Sequence, residues 1–333
     1  MTTWKHQIFK GIGEPHDGIA NLPPPPNWRV FKDVQTQQTN KGKTFQARPE
    51  EIELVNAALL LRRPLLVTGK PGTGKTSLAY AVARELKLGE VLYWPITTRT
   101  TLKDGLYSYD AIGRLQDTQQ REQAVESSGK VRDIGQYIRL GPLGTALLPS
   151  PDPIKPRVVL VDEIDKSDLD LSNDLLHVFE EGSFEIPELV RIKDTENEVT
   201  VRTAYKDRTQ EPYVKIQAGL VQCMNFPFVI LTSNGERDFP PPFLRRCIRL
   251  EMREPNKTEL ARIVQAHLGT EVLEQSVTLI DEFLRQRDSE GKELATDQLL
   301  NAICVMLQRE LTTQESRDQL LDKLMKPLSG VDA

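Results

Sequence analysis

The sequence predicts an α/β fold in which helices flank a parallel sheet, followed by an all-helical C-terminal domain. Short apolar runs bounded by polar or turn residues are typical of buried parallel strands, and they occupy residues 64–68, 157–161 and 228–232. Helical patterns, including residues 76–87 and 171–181, alternate with these runs and indicate an α/β core. Beyond about residue 252 only amphipathic helical patterns remain.

The chain is predicted to divide into three parts: an N-terminal arm at residues 1–48, an α/β core at 49–251 and a helical lid at 252–333. In the arm, four consecutive prolines favour an extended polyproline linker. The polar stretch 32–47 is interpreted either as a solvated linker or as an arm that packs on a neighbouring subunit.

Two segments of the core interrupt the alternation of strands and helices. Residues 97–141 are long and polar, and residues 193–219 are charged, with alternating residues that predict a β-hairpin. Because compact domains rarely contain structureless loops of this length, both segments are predicted to be functional insertions.

Composition narrows the classes of protein and partner. With 43 Lys and Arg against 48 Asp and Glu, the formal charge of −5 argues against indiscriminate nucleic-acid binding. The three cysteines are widely spaced, which argues against a disulfide framework or a structural zinc site and favours a reducing compartment. No apolar run has the length of a signal peptide core or a spanning helix, so we expect a cytoplasmic protein without a membrane partner.

The strongest chemical signal is a GxxxxGK[ST] motif at residues 69–76, placed between a predicted strand and a predicted helix. In this context backbone N–H groups of the glycine-rich loop and the helix N-terminus bind a triphosphate. We expect Lys75 to reach the β and γ phosphates and the Thr76 hydroxyl to ligate Mg²⁺. The predicted nucleotide-binding residues are Gly69, Pro71, Gly72, Thr73, Gly74, Lys75, Thr76 and Ser77.

Two carboxylates follow the second predicted strand. Asp162 and Glu163 lie at the carboxyl edge of the sheet, where ligands of open α/β folds bind. Asp162 is predicted to hold Mg²⁺ through water, and Glu163 to orient or deprotonate the attacking water. Two acids after an apolar strand are often only surface charge, but the preceding phosphate-binding motif favours the catalytic interpretation.

Two further polar residues are candidates for catalysis. Asn234 follows the third strand, where it either positions the attacking water or closes a turn with Gly235. Arg246 belongs to an arginine pair after a proline run. It forms a surface ion pair or reaches a γ-phosphate, where an arginine accelerates transfer by about 10³- to 10⁵-fold.

These elements, in this order and followed by a helical lid, resemble the AAA+ ATPases. The similarity is closest to the MoxR branch, because residues 141–148 (GPLGTALL) look like its segment before the acidic strand and residues 162–186 (DEIDKSDLDLSNDLLHVFEEGSFEI) look like its acidic motif and following helix. The resemblance covers the chain from about residue 49 onward. It implies Mg-ATP hydrolysis in a homo-oligomeric ring, expected to be a hexamer, with Arg246 projecting into the next subunit's site and both insertions facing a central pore.

One residue of this chain departs from the family pattern, and one N-terminal segment indicates a partner. Where the family often has an arginine at the start of the third lid helix, this chain has Asp297, so lid closure on nucleotide would rely on other residues. Residues 15–31 (PHDGIANLPPPPNWRVF) look like leaders of MoxR proteins associated with von Willebrand A proteins in bacterial conflict systems. This similarity implies a von Willebrand A protein as the client.

The sequence therefore predicts an ATPase ring that remodels a protein partner, and two alternatives stay open. A nucleic-acid motor similar to the ATPase or GTPase subunits of restriction systems would use a basic pore, although the acidic composition argues against it. Its candidate pore residues are Arg191, Lys193, Arg202, Lys206, Arg208 and Lys215. The second alternative is a nucleotide-gated scaffold with little turnover.

Overall fold

The computed structural model describes residues 3–4, 8–30, 33–123, 133–150, 152, 154–206, 211–307, 309–310 and 323–327. The strands are β1 (Thr3–Trp4), β2 (Leu65–Thr68), β3 (Leu92–Pro95), β4 (Tyr107–Tyr109), β5 (Ile138–Leu140), β6 (Val158–Asp162), β7 (Ser183–Glu185), β8 (Glu198–Arg202), β9 (Tyr213–Gln217), β10 (Leu220–Gln222), β11 (Phe228–Ser233), β12 (Ile248–Glu251) and β13 (Arg309–Glu310). The α-helices are α1 (Val34–Thr44), α2 (Pro49–Leu61), α3 (Lys75–Glu85), α4 (Leu102–Leu106), α5 (Ala111–Gln123), α6 (Pro142–Ala146), α7 (Leu169–Glu181), α8 (Pro187–Val190), α9 (Pro241–Leu244), α10 (Lys257–Leu268), α11 (Thr270–Leu284) and α12 (Thr296–Leu307).

A five-stranded parallel sheet forms the centre of the protein, in the order β12-β2-β11-β6-β3. The three strands predicted from apolar runs lie side by side in its middle, where helices cover both faces and almost every residue is buried. The edge strand β3 alternates buried and exposed residues, so it lacks the apolar run that marks the others. The predicted α/β fold with a flanked parallel sheet is confirmed.

The C-terminal helices α10, α11 and α12 pack around a separate apolar core, as the sequence predicts. Leu260, Phe283, Leu299 and Ile303 are fully buried in this core. In the part of the chain that the structure describes, no helix is both long enough and apolar enough to cross a membrane.

A second sheet has six strands in the order β4-β5-β8-β9-β10-β7. It joins the two segments that the sequence marks as insertions, because β5 from the first pairs in parallel with β8 from the second. The predicted hairpin is present as β8 and β9. One face of this sheet is buried against the α/β core, where Ile138, Leu140, Val199 and Val201 contribute to the larger apolar cluster.

The polar stretch before the core packs on its own chain, which differs from the interpretation of residues 32–47 as a solvated linker. Within it, α1 lies against α3, and a Cβ on Gly42 would approach the Tyr80 carbonyl oxygen to 2.5 Å. The amide of Gln38 also exchanges two hydrogen bonds with the backbone of Val91, at 3.0 and 2.8 Å. Hydrogen bonds between a side chain and the backbone, and a close helix contact at a glycine, need little apolar surface. The polar composition of this stretch therefore did not reveal its packing.

Candidate functional site

A cavity of about 530 Å³ opens between the α/β core and the lid. Four parts of the chain line it: the GxxxxGKT loop (residues 69–76, here called the P-loop), the carboxyl ends of β6 and β11, the lid helices α10 and α12, and residues 44–51 at the junction of α1 and α2. Its polar and charged lining residues include Arg48, Glu51, Thr73, Lys75, Thr76, Ser77, Asp162, Glu163, Thr232, Asn234, Glu259, Thr296 and Asp297.

The P-loop follows β2, and its last two residues, Lys75 and Thr76, are the first two residues of α3, directly after Gly74. Gly74 has a φ of 96°, a left-handed conformation that glycine adopts at no steric cost. No side chain caps the first turn of α3, so its N-terminal N–H groups are suited to bind an anion. At Gly72 a Cβ would lie 2.7 Å from the Cβ of Ala295, so this glycine allows the loop to touch the lid.

Lys75 is almost completely buried, with 7% of its surface exposed. Its Nζ donates to the carbonyl oxygens of Gly69 at 2.6 Å and Lys70 at 2.9 Å. Burial lowers the pKa of Lys75, while the carboxylates of Asp165 and Asp162 act in the opposite direction. The ammonium group is therefore folded back on the P-loop carbonyls.

Asp162 connects the P-loop to the sheet edge. Its Oδ1 accepts hydrogen bonds from Thr76 Oγ1 at 3.0 Å and from Thr232 Oγ1 at 2.6 Å, and its Oδ2 accepts one from the Tyr93 hydroxyl at 3.1 Å. Burial, followed by the charge of Asp162, raises the pKa of Tyr93 to about 12, so this hydroxyl stays protonated and donates. The adjacent oxygens of Thr76 and Asp162 are the hard ligands that Mg²⁺ prefers, and the site fits that ion.

Glu163 leaves the end of β6 through a left-handed backbone conformation with a φ of 62°. Such a conformation costs energy in a residue other than glycine and is often found at functional sites. The Glu163 N–H donates to Thr232 Oγ1 at 2.9 Å, and its carboxylate pairs with Lys166 at 2.6 Å. The turn stops the strand and places the Glu163 side chain on the wall of the cavity.

Asn234 also lies on the cavity wall, at the end of β11. Its Nδ2 donates to Glu236 at 3.4 Å, and the following Gly235 donates its N–H to Ser233 Oγ at 3.0 Å. The turn and the site are therefore the same feature, and the two sequence interpretations of Asn234 are compatible.

Asp165 was not among the residues selected from the sequence. It is 3% exposed, and its Oδ2 accepts the backbone N–H groups of Asn234 at 2.8 Å and Glu236 at 3.2 Å. Its Oδ1 is buried and has no hydrogen-bond partner among the described residues. The carboxylate thus ties the loop after β6 to the loop after β11 and fixes Asn234 relative to Glu163.

We expect Asp165→Ala to lower kcat for ATP by about tenfold to a hundredfold, because small displacements of reacting groups cost that much. KM should change little, since Asp165 does not line the cavity. Asp165→Asn keeps an oxygen acceptor and should restore part of kcat. The exposed Asp168 of the same loop provides the control, Asp168→Ala. Equal kcat values for Asp165→Ala and the control would remove Asp165 from this positioning role.

Arg246 is not among the residues that line this cavity, unlike the other two catalytic candidates, Glu163 and Asn234. Gly69, the first residue of the P-loop, is not a lining residue either. Its Nε forms an ion pair with Glu180 on α7, and a second guanidinium nitrogen donates to the Pro242 carbonyl at 3.2 Å. The guanidinium is therefore held at the surface beside α7 and α9, with 27% of the side chain exposed.

An ion-pair network joins the core to the lid beside the cavity. Arg48, just before α2, donates to both carboxylate oxygens of Glu259 on α10, at 3.1 and 3.2 Å, and pairs with Glu51 at 3.3 Å. Arg253 also pairs with Glu259, at 2.7 Å. Burial alone would raise the pKa of Glu259, but hydrogen bonds from Arg253, Asn256 and Arg48 lower it to about 2. Glu259 therefore remains charged in neutral solution.

Arg48 and Arg253 bind the same carboxylate but differ in burial, so we expect their replacement to lower the free energy of unfolding by different amounts. The Arg48 side chain is 14% exposed and the Arg253 side chain is 55% exposed. Arg48→Met leaves Glu51 and Glu259 without their buried partner, so we expect the free energy of unfolding to fall by about 3 kcal/mol. Arg253→Met should lower it by no more than about 1 kcal/mol. Denaturant titration measures both, and equal losses would contradict the burial argument.

Asp297 is in the first turn of α12 and lines the cavity together with Thr296. Since α12 follows α10 and α11, Asp297 lies at the start of the third lid helix, the position at which the resemblance stated above leads us to expect an arginine. No arginine from the described part of the lid is among the residues that line the cavity.

The family model for the AAA domain (dynein-related subfamily) matches residues 64–247, which is more than half of the chain. The matched region runs from the strand before the P-loop to the residue after Arg246. No curated protein sequence matches the chain significantly. The chain therefore belongs to the AAA domain family of the dynein-related subfamily, and membership implies nucleotide binding and ATP-driven activity.

Proposed function

We propose that this AAA+ protein is a member of the MoxR branch that hydrolyses Mg-ATP at subunit boundaries of a homo-oligomeric ring, a hexamer, and remodels a protein client. The observation that carries the proposal is the convergence of Lys75, Thr76, Asp162, Glu163 and Asn234 on one cavity. These residues come from three segments that are separate in the chain and meet at one edge of the parallel sheet: the start of α3, the end of β6 and the residue after β11. They are the groups that phosphoryl transfer to water requires.

Each residue has a distinct task in this proposal. The Lys75 ammonium turns from the P-loop carbonyls to the β and γ phosphates, and Thr76 and Asp162 hold Mg²⁺. When bound, Mg²⁺ neutralises phosphate charge and stabilises the leaving group. Glu163 exchanges its ion pair with Lys166 for the attacking water and accepts its proton. Asn234 orients that water from the opposite side.

The position of Arg246 supports a site shared between subunits. Its guanidinium lies outside the cavity of its own chain, and its ion pair with Glu180 is partly exposed, so a change of partner costs little. In a ring, the same surface would present Arg246 to the γ-phosphate of the next subunit. The resemblance of residues 15–31 to leaders of von Willebrand A associated proteins makes such a protein the proposed client.

Turnover measured against protein concentration tests this proposal. An enzyme with shared sites gains ATPase activity per chain as rings form, whereas the same protein held as monomers has little. Lys75→Ala is the background control, because it removes the P-loop cation. A scaffold would bind ATP and assemble with turnover no higher than that control, and this result would contradict the proposal.

A further inference from the structure

The outer face of the six-stranded sheet carries two arginines on neighbouring strands that the proposed ATPase site does not use. Four residues lie opposite one another across β4, β5, β8 and β9, and we call them the arginine row: Ser108, Arg139, Arg202 and Tyr213. All four are exposed, while Val201, next to Arg202 in β8, is buried. Neighbouring strands are about 4.8 Å apart, so the four side chains form a continuous strip.

The two guanidinium groups of this row form no ion pair with the part of the chain that the structure describes. Like charges directly opposite each other destabilise a sheet, and Arg139 faces outward beside Arg202. Among the described residues no carboxylate forms an ion pair with either arginine. Glu198 lies on the same face of β8 but is bound by Lys215, at 2.7 Å. An anion on the row would therefore relieve an existing repulsion.

The rest of the face indicates which anion fits. A second exposed row crosses β8, β9, β10 and β7, and it consists of Glu198, Gln217, Leu220 and Glu185. This row begins and ends with carboxylates, which repel phosphates. A nucleic-acid strand carries a charge at every nucleotide and would meet both rows as it crossed the sheet. A short segment with two carboxylates can contact the arginine row alone.

We propose that the arginine row binds a short acidic segment of a partner polypeptide in an extended conformation. Alternate side chains of an extended segment face the same way about 6.8 Å apart, within reach of two long arginine side chains on neighbouring strands. Each carboxylate would accept two hydrogen bonds from one guanidinium, of Arg139 or Arg202. The ring of Tyr213, 63% exposed, would pack against the backbone of the segment. This binding needs no nucleotide. An experiment that contradicts it therefore leaves the proposed ATP hydrolysis untouched, and the reverse also holds.

Fluorescence anisotropy of the full chain without nucleotide tests this, with a labelled peptide of alternating glutamate and serine as the probe. We expect Arg139→Gln and Arg202→Gln each to weaken binding by about tenfold, and the double variant by more, because charge-assisted hydrogen bonds are lost. Lys215→Gln, a cation of the same face that is already paired, should stay within about twofold of the parent. Unchanged thermal unfolding and ATPase activity would show that the variants are folded.

A thymidine oligonucleotide of matched length distinguishes the second class of partner. If it binds more tightly than the peptide and the double variant abolishes that binding, the row contacts nucleic-acid phosphates, and the acidic-polypeptide assignment is wrong. Absence of peptide binding by the parent chain would also overturn the assignment. So would equal affinity of the parent and the double variant for the peptide.

Discussion

Replacing the carboxylate of Glu163 by an amide should abolish most ATP hydrolysis while leaving ATP binding intact. The Glu163→Gln side chain has the same shape but cannot accept a proton from water, and general-base catalysis contributes about 10²- to 10⁴-fold to rate. Binding should persist because the P-loop, Lys75 and Asp162 are unchanged. The kcat for ATP and the Kd for a fluorescent ATP analogue, measured on the same preparation, check both halves of this prediction.

A matched exchange at a carboxylate that does not line the cavity controls for the loss of charge. Glu181 is exposed at the end of α7 and forms no ion pair with the described residues, so Glu181→Gln should leave turnover unchanged. Glu163→Gln also frees Lys166, and Lys166→Ala separates that effect from the loss of the base. Turnover near the parental rate in Glu163→Gln would show that another group activates the water.

The sequence predicts which residues line the cavity where their positions depend on local order in the chain. The P-loop and the Asp162–Glu163 pair are contiguous in the chain, and each follows an apolar strand whose carboxyl end must lie at the sheet edge. Asp165 was missed because its role is to accept backbone N–H groups from residues about seventy positions away. The residue types of the acceptor and of the donors do not reveal that such a contact forms.

Contacts between segments that are far apart in the chain account for the other features that the sequence did not predict. Arg48 and Glu259 are separated by 211 positions, and nothing in either local sequence identifies the other as its partner. The same holds for Arg139 and Arg202, which belong to two insertions that the sequence treats as separate and the fold joins in one sheet. Fold class depends on periodicity within each element, whereas these pairs depend on how the elements are placed.

Arg246→Ala should lower kcat by about 10³- to 10⁵-fold, the effect expected when an arginine that stabilises the transferring phosphoryl group is removed. Nucleotide affinity should stay near that of the parent, because Arg246 does not line the cavity of its own chain. Stability should also change little, since a partly exposed ion pair contributes at most about 1 kcal/mol. Arg245→Ala, at the exposed neighbouring arginine, is the matched control and should remain active.

Mixing two inactive variants shows whether Arg246 acts across a subunit boundary. Arg246→Ala chains keep Lys75, and Lys75→Ala chains keep Arg246, so a boundary between them in one order contains every required group. In an equal mixture, random assembly of a head-to-tail ring places about a quarter of the boundaries in that order, and activity should recover to about that fraction of the parental value. An arginine acting within its own chain predicts no recovery at any mixing ratio, because no chain then carries both groups. ATPase activity measured across mixing ratios therefore distinguishes a shared site from a self-contained one.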